Sequence, residues 1–170
     1  MRLNVKLAAV LIAVILATSP GALAVGTVTQ TPTNEAAPVS AAALYRLYRD
    51  KTWLWQNGAG FFAKDGRFSA WSGSGDEATY AEGRWWVNFL GGLCINAAWR
   101  SKDWVKVNLT CFSHSKDGNL LYQKREPAGA WAVFRSFPGK PDDEYQKLRK
   151  GDLVEVEFLK RKTMMGRKQE

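Results

Sequence analysis

Through the middle of the chain, apolar and polar positions alternate in short runs that break on glycine, asparagine and aspartate. Short strands punctuated by such residues predict antiparallel hairpins. Two Asp-Gly pairs mark the clearest turns. At Asp65-Gly66 a two-residue turn sets Lys64 opposite Arg67, Ala63 opposite Phe68 and Phe61 opposite Ala70, which makes one hairpin face apolar. At Asp117-Gly118 the same geometry sets Lys116 opposite Asn119, His114 opposite Leu121 and Ser113 opposite Tyr122. A third pair, residues 93–99 and 105–112, folds about Ser101-Lys102-Asp103. Symmetry about that turn places Cys94 across from Cys111 and Trp99 across from Lys106; it also puts Asn96 beside Leu109, an imperfect pairing for which a bulge is the alternative to regular register.

Further strands are predicted at 52–56, 84–90, 130–136 and 153–159, the last alternating Val154, Val156 and Phe158 against Glu155 and Glu157. A short helix is predicted over 41–50 behind Ser40, with Leu44, Leu47 and Tyr48 at helical spacing. A second is predicted between Pro141-Asp142-Asp143-Glu144 and Gly151, with acids at its start and bases at its end. The fold class is therefore mainly β: an antiparallel meander forming a small barrel or strongly bent sheet with two short flanking helices. A β-sandwich is the alternative.

The ends of the chain read differently. Arg2 and Lys6 precede the apolar run 7–17, the Ser19-Pro20-Gly21 break and Ala22-Leu23-Ala24, which is the order of parts in a secretory signal. That run is shorter than the roughly 20 residues a permanent membrane helix needs, and no later stretch is long and apolar enough to span. The domain plan is thus a signal peptide over 1–24, a Thr-, Pro- and Ala-rich flexible linker over 25–39, one β domain over 40–159 and a basic tail over 160–170. Export to the periplasm or beyond places both cysteines where thiols are oxidised, so a Cys94–Cys111 disulfide is expected, with two buried thiols as the alternative.

The net charge of +8 looks like a nucleic-acid signal until it is located. Two positive charges lie in the leader and a net four in the tail, through Lys160, Arg161, Lys162, Arg167 and Lys168 against Glu170, so about +2 remains on the domain. No nucleic-acid partner follows. A frayed, solvated tail is expected, and contact with an anionic envelope surface is the functional alternative.

The candidate chemistry is sparse. His114 is the sole histidine, so no metal site built on several His ligands exists, and with the cysteines bridged no thiolate remains for zinc. Neither cofactor nor metal is expected. Gly58-Ala59-Gly60 and Gly73-Ser74-Gly75 sit between no strand and helix, so they read as turns or bulges rather than phosphate cradles. Eight tryptophans remain to be explained, as core filling or as ligand-stacking surfaces. Trp53 and Trp55 share a strand face, whereas Trp85 and Trp86 point to opposite faces. The candidate ligand contacts are Trp53, Trp55, Trp71, Trp85, Arg67, His114 and Gln123.

The run Thr52-Trp53-Leu54-Trp55-Gln56-Asn57-Gly58-Ala59-Gly60-Phe61-Phe62 is followed by Asp65-Gly66-Arg67-Phe68, Glu82-Gly83-Arg84-Trp85, Leu93-Cys94 and Thr110-Cys111-Phe112-Ser113-His114. With Tyr122-Gln123 and Trp131-Ala132-Val133-Phe134, these blocks resemble a bacterial family known as domain of unknown function 995, over about residues 44–158. The resemblance implies an exported bacterial envelope protein with one β domain, and no activity. More loosely, the Gly- and Trp-rich meander is similar in architecture to lipocalin and avidin barrels. The expected function is a non-enzymatic binding module for a small hydrophobic ligand, an envelope glycan or a protein partner. An envelope hydrolase using His114, or an inhibitor presenting the stretch 73–82 as a loop, are the alternatives.

Overall fold

The computed structural model describes residues 31–166, so the expected leader, residues 25–30 of the expected linker and the last four residues of the tail lie outside the described residues. The elements are β1 (Ala37–Pro38), α1 (Ala41–Tyr48), β2 (Lys51–Trp55), β3 (Gly58–Phe62), β4 (Arg67–Ser72), β5 (Thr79–Val87), β6 (Gly92–Arg100), β7 (Val105–Asp117), β8 (Leu120–Arg125), β9 (Ala132–Ser136), β10 (Leu148–Lys150) and α2 (Glu155–Gly166). Two 3-10 turns, Gly75–Glu77 and Glu144–Lys147, complete them. The strands form one antiparallel sheet in the order β10-β2-β3-β4-β5-β6-β7-β8-β9, with β1 paired to β7. The sheet curls into a half-barrel, so the chain is a bent meander and not a sandwich.

Alternation along β5 to β8 decides what each face carries. Trp85 is 3% exposed and points into the concave face, while its neighbour Trp86 is 43% exposed on the convex one. On that convex face Cys94 pairs directly with Cys111, Cα atoms 4.1 Å apart, and the two form a disulfide. Asn96 also faces Leu109, and the register runs unbroken through this pair with no bulge. At Gly83, on the concave side of β5, an added Cβ would lie 2.1 Å from the carbonyl oxygen of Asn96. The absent side chain lets β5 and β6 bend together at this corner of the half-barrel.

Both Asp-Gly hairpins form, in registers other than expected. The first turn is a three-residue loop, Lys64-Asp65-Gly66, with Gly66 at φ 81 and Ala63 N donating to Arg67 O at 3.0 Å. It pairs Phe62 with Phe68, so these two rings share the buried face and Phe61 moves to the other side. The second turn centres on Gly118-Asn119, with Gly118 at φ 51, and pairs His114 with Gln123 and Lys116 with Leu121. A slip of two residues preserves the inward and outward sets.

The C-terminal third departs further. Residues 153–159, expected as a strand, enter α2. Asp152 accepts from the amides of Val154 at 2.8 Å and Glu155 at 3.1 Å, which caps a helix and does not extend a sheet. Val154, Phe158 and Arg161 then line one helical face, and α2 packs on the convex side against β4 and β5. The expected solvated tail is therefore an anchor. Arg161 lies buried over the Trp71 ring at 4.7 Å and donates to the carbonyls of Ser72, Gly73 and Thr79 at 2.8, 2.9 and 3.3 Å. Lys162 pairs with Glu82 at 2.7 Å.

The expected helix over 141–151 is a 3-10 turn followed by β10, which pairs Leu148 with Trp53 and so satisfies the free edge of β2. The end of the expected linker is tied down as well. Thr33 N donates to Asp117 Oδ2 at 2.8 Å, Ser115 Oγ donates to Ala37 O at 3.2 Å, and Ala37 and Pro38 pair with Lys116 and Ser115. Among the described residues no helix is long and apolar enough to cross a membrane.

Replacing both Cys94 and Cys111 by alanine is expected to lower the unfolding free energy by about 3 kcal/mol, from the loop-entropy cost, as read by urea denaturation of oxidised and doubly substituted protein. In the same assay Arg161→Ala is expected to cost on the order of 3 kcal/mol, because three carbonyls lose a charged donor. Lys160→Ala, which removes only an exposed pair with Glu157, is expected to cost less than about 0.5 kcal/mol.

Candidate functional site

The concave face is filled at one end and open at the other. Helix α1, capped by Ser40 Oγ accepting from Ala43 N at 3.3 Å, buries Leu44 and Tyr48 against the sheet. Tyr48 is 0% exposed, and its ring meets Phe62, His114, Trp53 and Phe134 at centroid distances of 5.2, 5.6, 6.1 and 6.1 Å. Beyond this plug, the same inward positions of the strands enclose a cavity of about 590 Å³. Its walls are Trp53 and Trp55 of β2, Trp99 of β6 and Phe112 of β7, over a floor of Phe62, Phe68 and Phe134.

Glycine makes room for one of these walls. A Cβ on Gly58 would stand 2.3 Å from Trp55 Nε1, and one on Gly60 would stand 2.8 Å from the Phe68 ring and 3.2 Å from Trp55 Cζ3. The Gly58-Ala59-Gly60 stretch is thus a strand, not the expected turn or bulge, and its bare backbone is the bed on which the Trp55 indole lies. Trp53 is held differently, by donating from Nε1 to Glu144 Oε1 at 2.9 Å. Glu144 is in turn positioned by Lys147 at 2.6 Å and by the neighbouring Asp143, whose carboxylate accepts from Ser136 N, Ser136 Oγ and Lys140 N, each at 2.9 Å.

Polar side chains line two parts of the rim. Asn108 and Thr110 of β7 and Gln123 and Arg125 of β8 face the cavity along adjacent strands, with Asp142 and Glu144 on the opposite lip. Behind Gln123 lies a buried network. Gln123 Nε2 sits 2.9 Å from Tyr48 Oη and 3.0 Å from His114 Nε2, Tyr48 Oη sits 2.8 Å from that same Nε2, and His114 Nδ1 is 3.3 Å from Gly91 O. Burial lowers the His114 pKa from 6.5 to about 4, so the ring is neutral at physiological pH. Burial likewise holds the Tyr48 hydroxyl well above its ordinary range.

Of the residues singled out from sequence, Trp53, Trp55 and Gln123 come together on the cavity. The others do not. Trp71 lies beneath Arg161 on the convex face. Trp85 is core, stacked on Tyr45 at 5.5 Å and donating to Ala63 O at 2.8 Å. Arg67 stands exposed on its turn, paired with Asp65 at 2.7 Å, beside a separate groove under α2. His114 is 1% exposed, behind the cavity and not on its surface. The sequence reading missed Trp99, Phe112 and Glu144. The first two were within reach, since the register that aligns Cys94 with Cys111 on one face puts Trp99 and Phe112 on the other. Among the described residues no group of three His, Cys, Asp or Glu side chains is arranged to hold a metal ion.

The depressed His114 pKa makes a prediction whose sign is fixed. The unfolded chain takes up a proton near pH 6.5 and the folded chain only near 4, so the stability is present above 6.5 and is lost as pH falls between those values. The loss expected is on the order of 3 kcal/mol. Urea denaturation of wild type and His114→Gln at pH 7 and pH 4 is expected to show that portion of the loss in wild type alone.

Comparison with known proteins places this architecture in a family. No curated protein and no solved structure matches the chain. Residues 12–154 match the family described as Protein of unknown function (DUF995), a span that includes the Trp-rich strands, both cysteines and every residue of the cavity. The chain belongs to that family.

Proposed function

We propose that this chain is a non-enzymatic binding protein that holds a small hydrophobic molecule in the concave aromatic cavity, and that it does so after export, in the periplasm or outside the cell. The observation that carries this reading is the open space of about 590 Å³ walled by Trp53, Trp55, Trp99 and Phe112. Small-molecule sites are concave, largely apolar and of roughly 300–1,000 Å³. An unfilled aromatic surface of this kind gains dispersion contacts and sheds water when an apolar guest enters.

Three features favour this reading over its rivals. The rings are inclined to one another, Trp53 at 59° to Phe112 and at 88° to Phe134, so they enclose a volume and do not offer the flat platform on which a sugar stacks. A hydrolase would need a base within reach of substrate, whereas His114 is buried and its partners are Tyr48, Gln123 and a backbone carbonyl. An inhibitor would need a protruding loop over 73–82, but that stretch is a 3-10 turn running into β5. Export is supported by the leader pattern at 1–24 and by the disulfide, a bond that persists in oxidising compartments.

Titration with the neutral apolar fluorophore N-phenyl-1-naphthylamine tests the reading. Saturable one-to-one binding is expected, weakened about tenfold or more by Trp99→Ala and changed less than about twofold by Trp86→Ala, which lies on the convex face. Failure to saturate, or equal losses from both substitutions, overturns it.

A further inference from the structure

One polar atom on the cavity wall has its orientation dictated from behind. The carbonyl oxygen of Gly91 faces His114 Nδ1 at 3.3 Å, a contact made only by an N–H, so the neutral ring carries its proton on Nδ1 and leaves Nε2 as an acceptor. Tyr48 has a single hydroxyl proton, and at 2.8 Å it goes to that Nε2. The Tyr48 oxygen then offers only lone pairs on its remaining side, and the Gln123 amide nitrogen meets it at 2.9 Å while lying 3.0 Å from His114 Nε2. Turning the amide over would press Gln123 Oε1 against two acceptors with no proton between them. The nitrogen is therefore held inward. The amide oxygen is left on the cavity side, where Gln123 forms part of the wall, and among the described residues no side chain or amide donates to it.

Resting on the binding reading above, we propose that the cavity selects apolar ring compounds that carry one hydrogen-bond donor, a hydroxyl or N–H, placed to donate to Gln123 Oε1. A guest with no donor would strip water from this oxygen and return nothing, at the full desolvation cost of a carbonyl. At that point a guest whose polar atom only accepts would face the lone pairs of Gln123 Oε1 and gain no hydrogen bond from it. The aromatic walls thus set affinity for the body of the ligand. Gln123, oriented by Tyr48 and His114, sets its chemistry as a phenol, an alcohol or an N–H heterocycle.

Calorimetric titration of the full chain with 2-naphthol, naphthalene and 2-methoxynaphthalene tests this without altering the protein. The expected result is that 2-naphthol binds about tenfold tighter than the other two, and that Gln123→Met removes the difference between the three. Equal affinities for all three in wild type overturn the donor requirement and leave the binding reading standing. Methoxynaphthalene binding as tightly as naphthol also overturns it, since the ligand oxygen would then be accepting. If none of the three binds, it is the cavity reading that falls. Should Gln123→Met fail to fold, the wild-type series alone decides.

Discussion

The half-barrel is a sheet whose two edge strands never pair, and Tyr48 is what its interior closes upon. Strands β9 and β10 lie at opposite ends of the strand order with no hydrogen bonds between them. A curled sheet left this way has an inner face that neither a second sheet nor full closure covers. Helix α1 supplies the missing cover at one end through two side chains one turn apart, Leu44 and Tyr48. The Tyr48 ring reaches residues of β2, β3, β7 and β9 at once, joining strands from both ends of the sheet. Its hydroxyl would be an orphan at that depth, and the His114 and Gln123 side chains satisfy it.

The open seam is bridged in a second way. The 3-10 turn Glu144–Lys147 packs against β9, β2 and β10, and its Tyr145 ring takes the Arg135 guanidinium of β9 at 4.0 Å and the Lys51 ammonium of β2 at 5.8 Å. A cation of edge strand β9 and one of β2, the neighbour of edge strand β10, thus share one aromatic ring. The same turn carries Glu144 to the Trp53 indole, so bridging the seam also sets one wall of the cavity.

How far the sequence could be read follows from how many physical rules agreed at each place. The register of the β6–β7 hairpin was legible because turn symmetry and the cysteine pair pointed to one alignment, and Cys94 indeed faces Cys111. At Asp65-Gly66 and Asp117-Gly118 the turns were legible but the registers were not. An Asp-Gly pair fits a three-residue loop with the glycine left-handed, or the rim of a turn centred one residue later, as well as a two-residue turn. At 153–159 two periods competed. Val154, Val156 and Phe158 alternate like a strand, yet Val154, Phe158 and Arg161 also mark one helical stripe. The deciding signal was Asp152 with Glu155 three positions on, a capping pattern. Trp53 and Trp55 were legible as a pair, but the glycine bed under Trp55 was not, since Gly58 and Gly60 serve a ring that crosses from the next strand.

The core and the cavity share the concave face, and strand alternation puts a second set of restraints on the convex one. The rings around the open space of about 590 Å³ forgo contacts that a closed core would give them. The restraints that offset this lie outward: the Cys94–Cys111 disulfide staples β6 to β7, and Arg161 ties α2 across the β4–β5 loop. None of these side chains belongs to the cavity lining. On the inner face, the Tyr48, His114 and Gln123 chain joins the plug and the wall of the cavity through the same hydrogen bonds. That junction is where the wall of the cavity and the fold meet, because the amide that presents Oε1 at the wall is the one whose Nε2 holds Tyr48 in place.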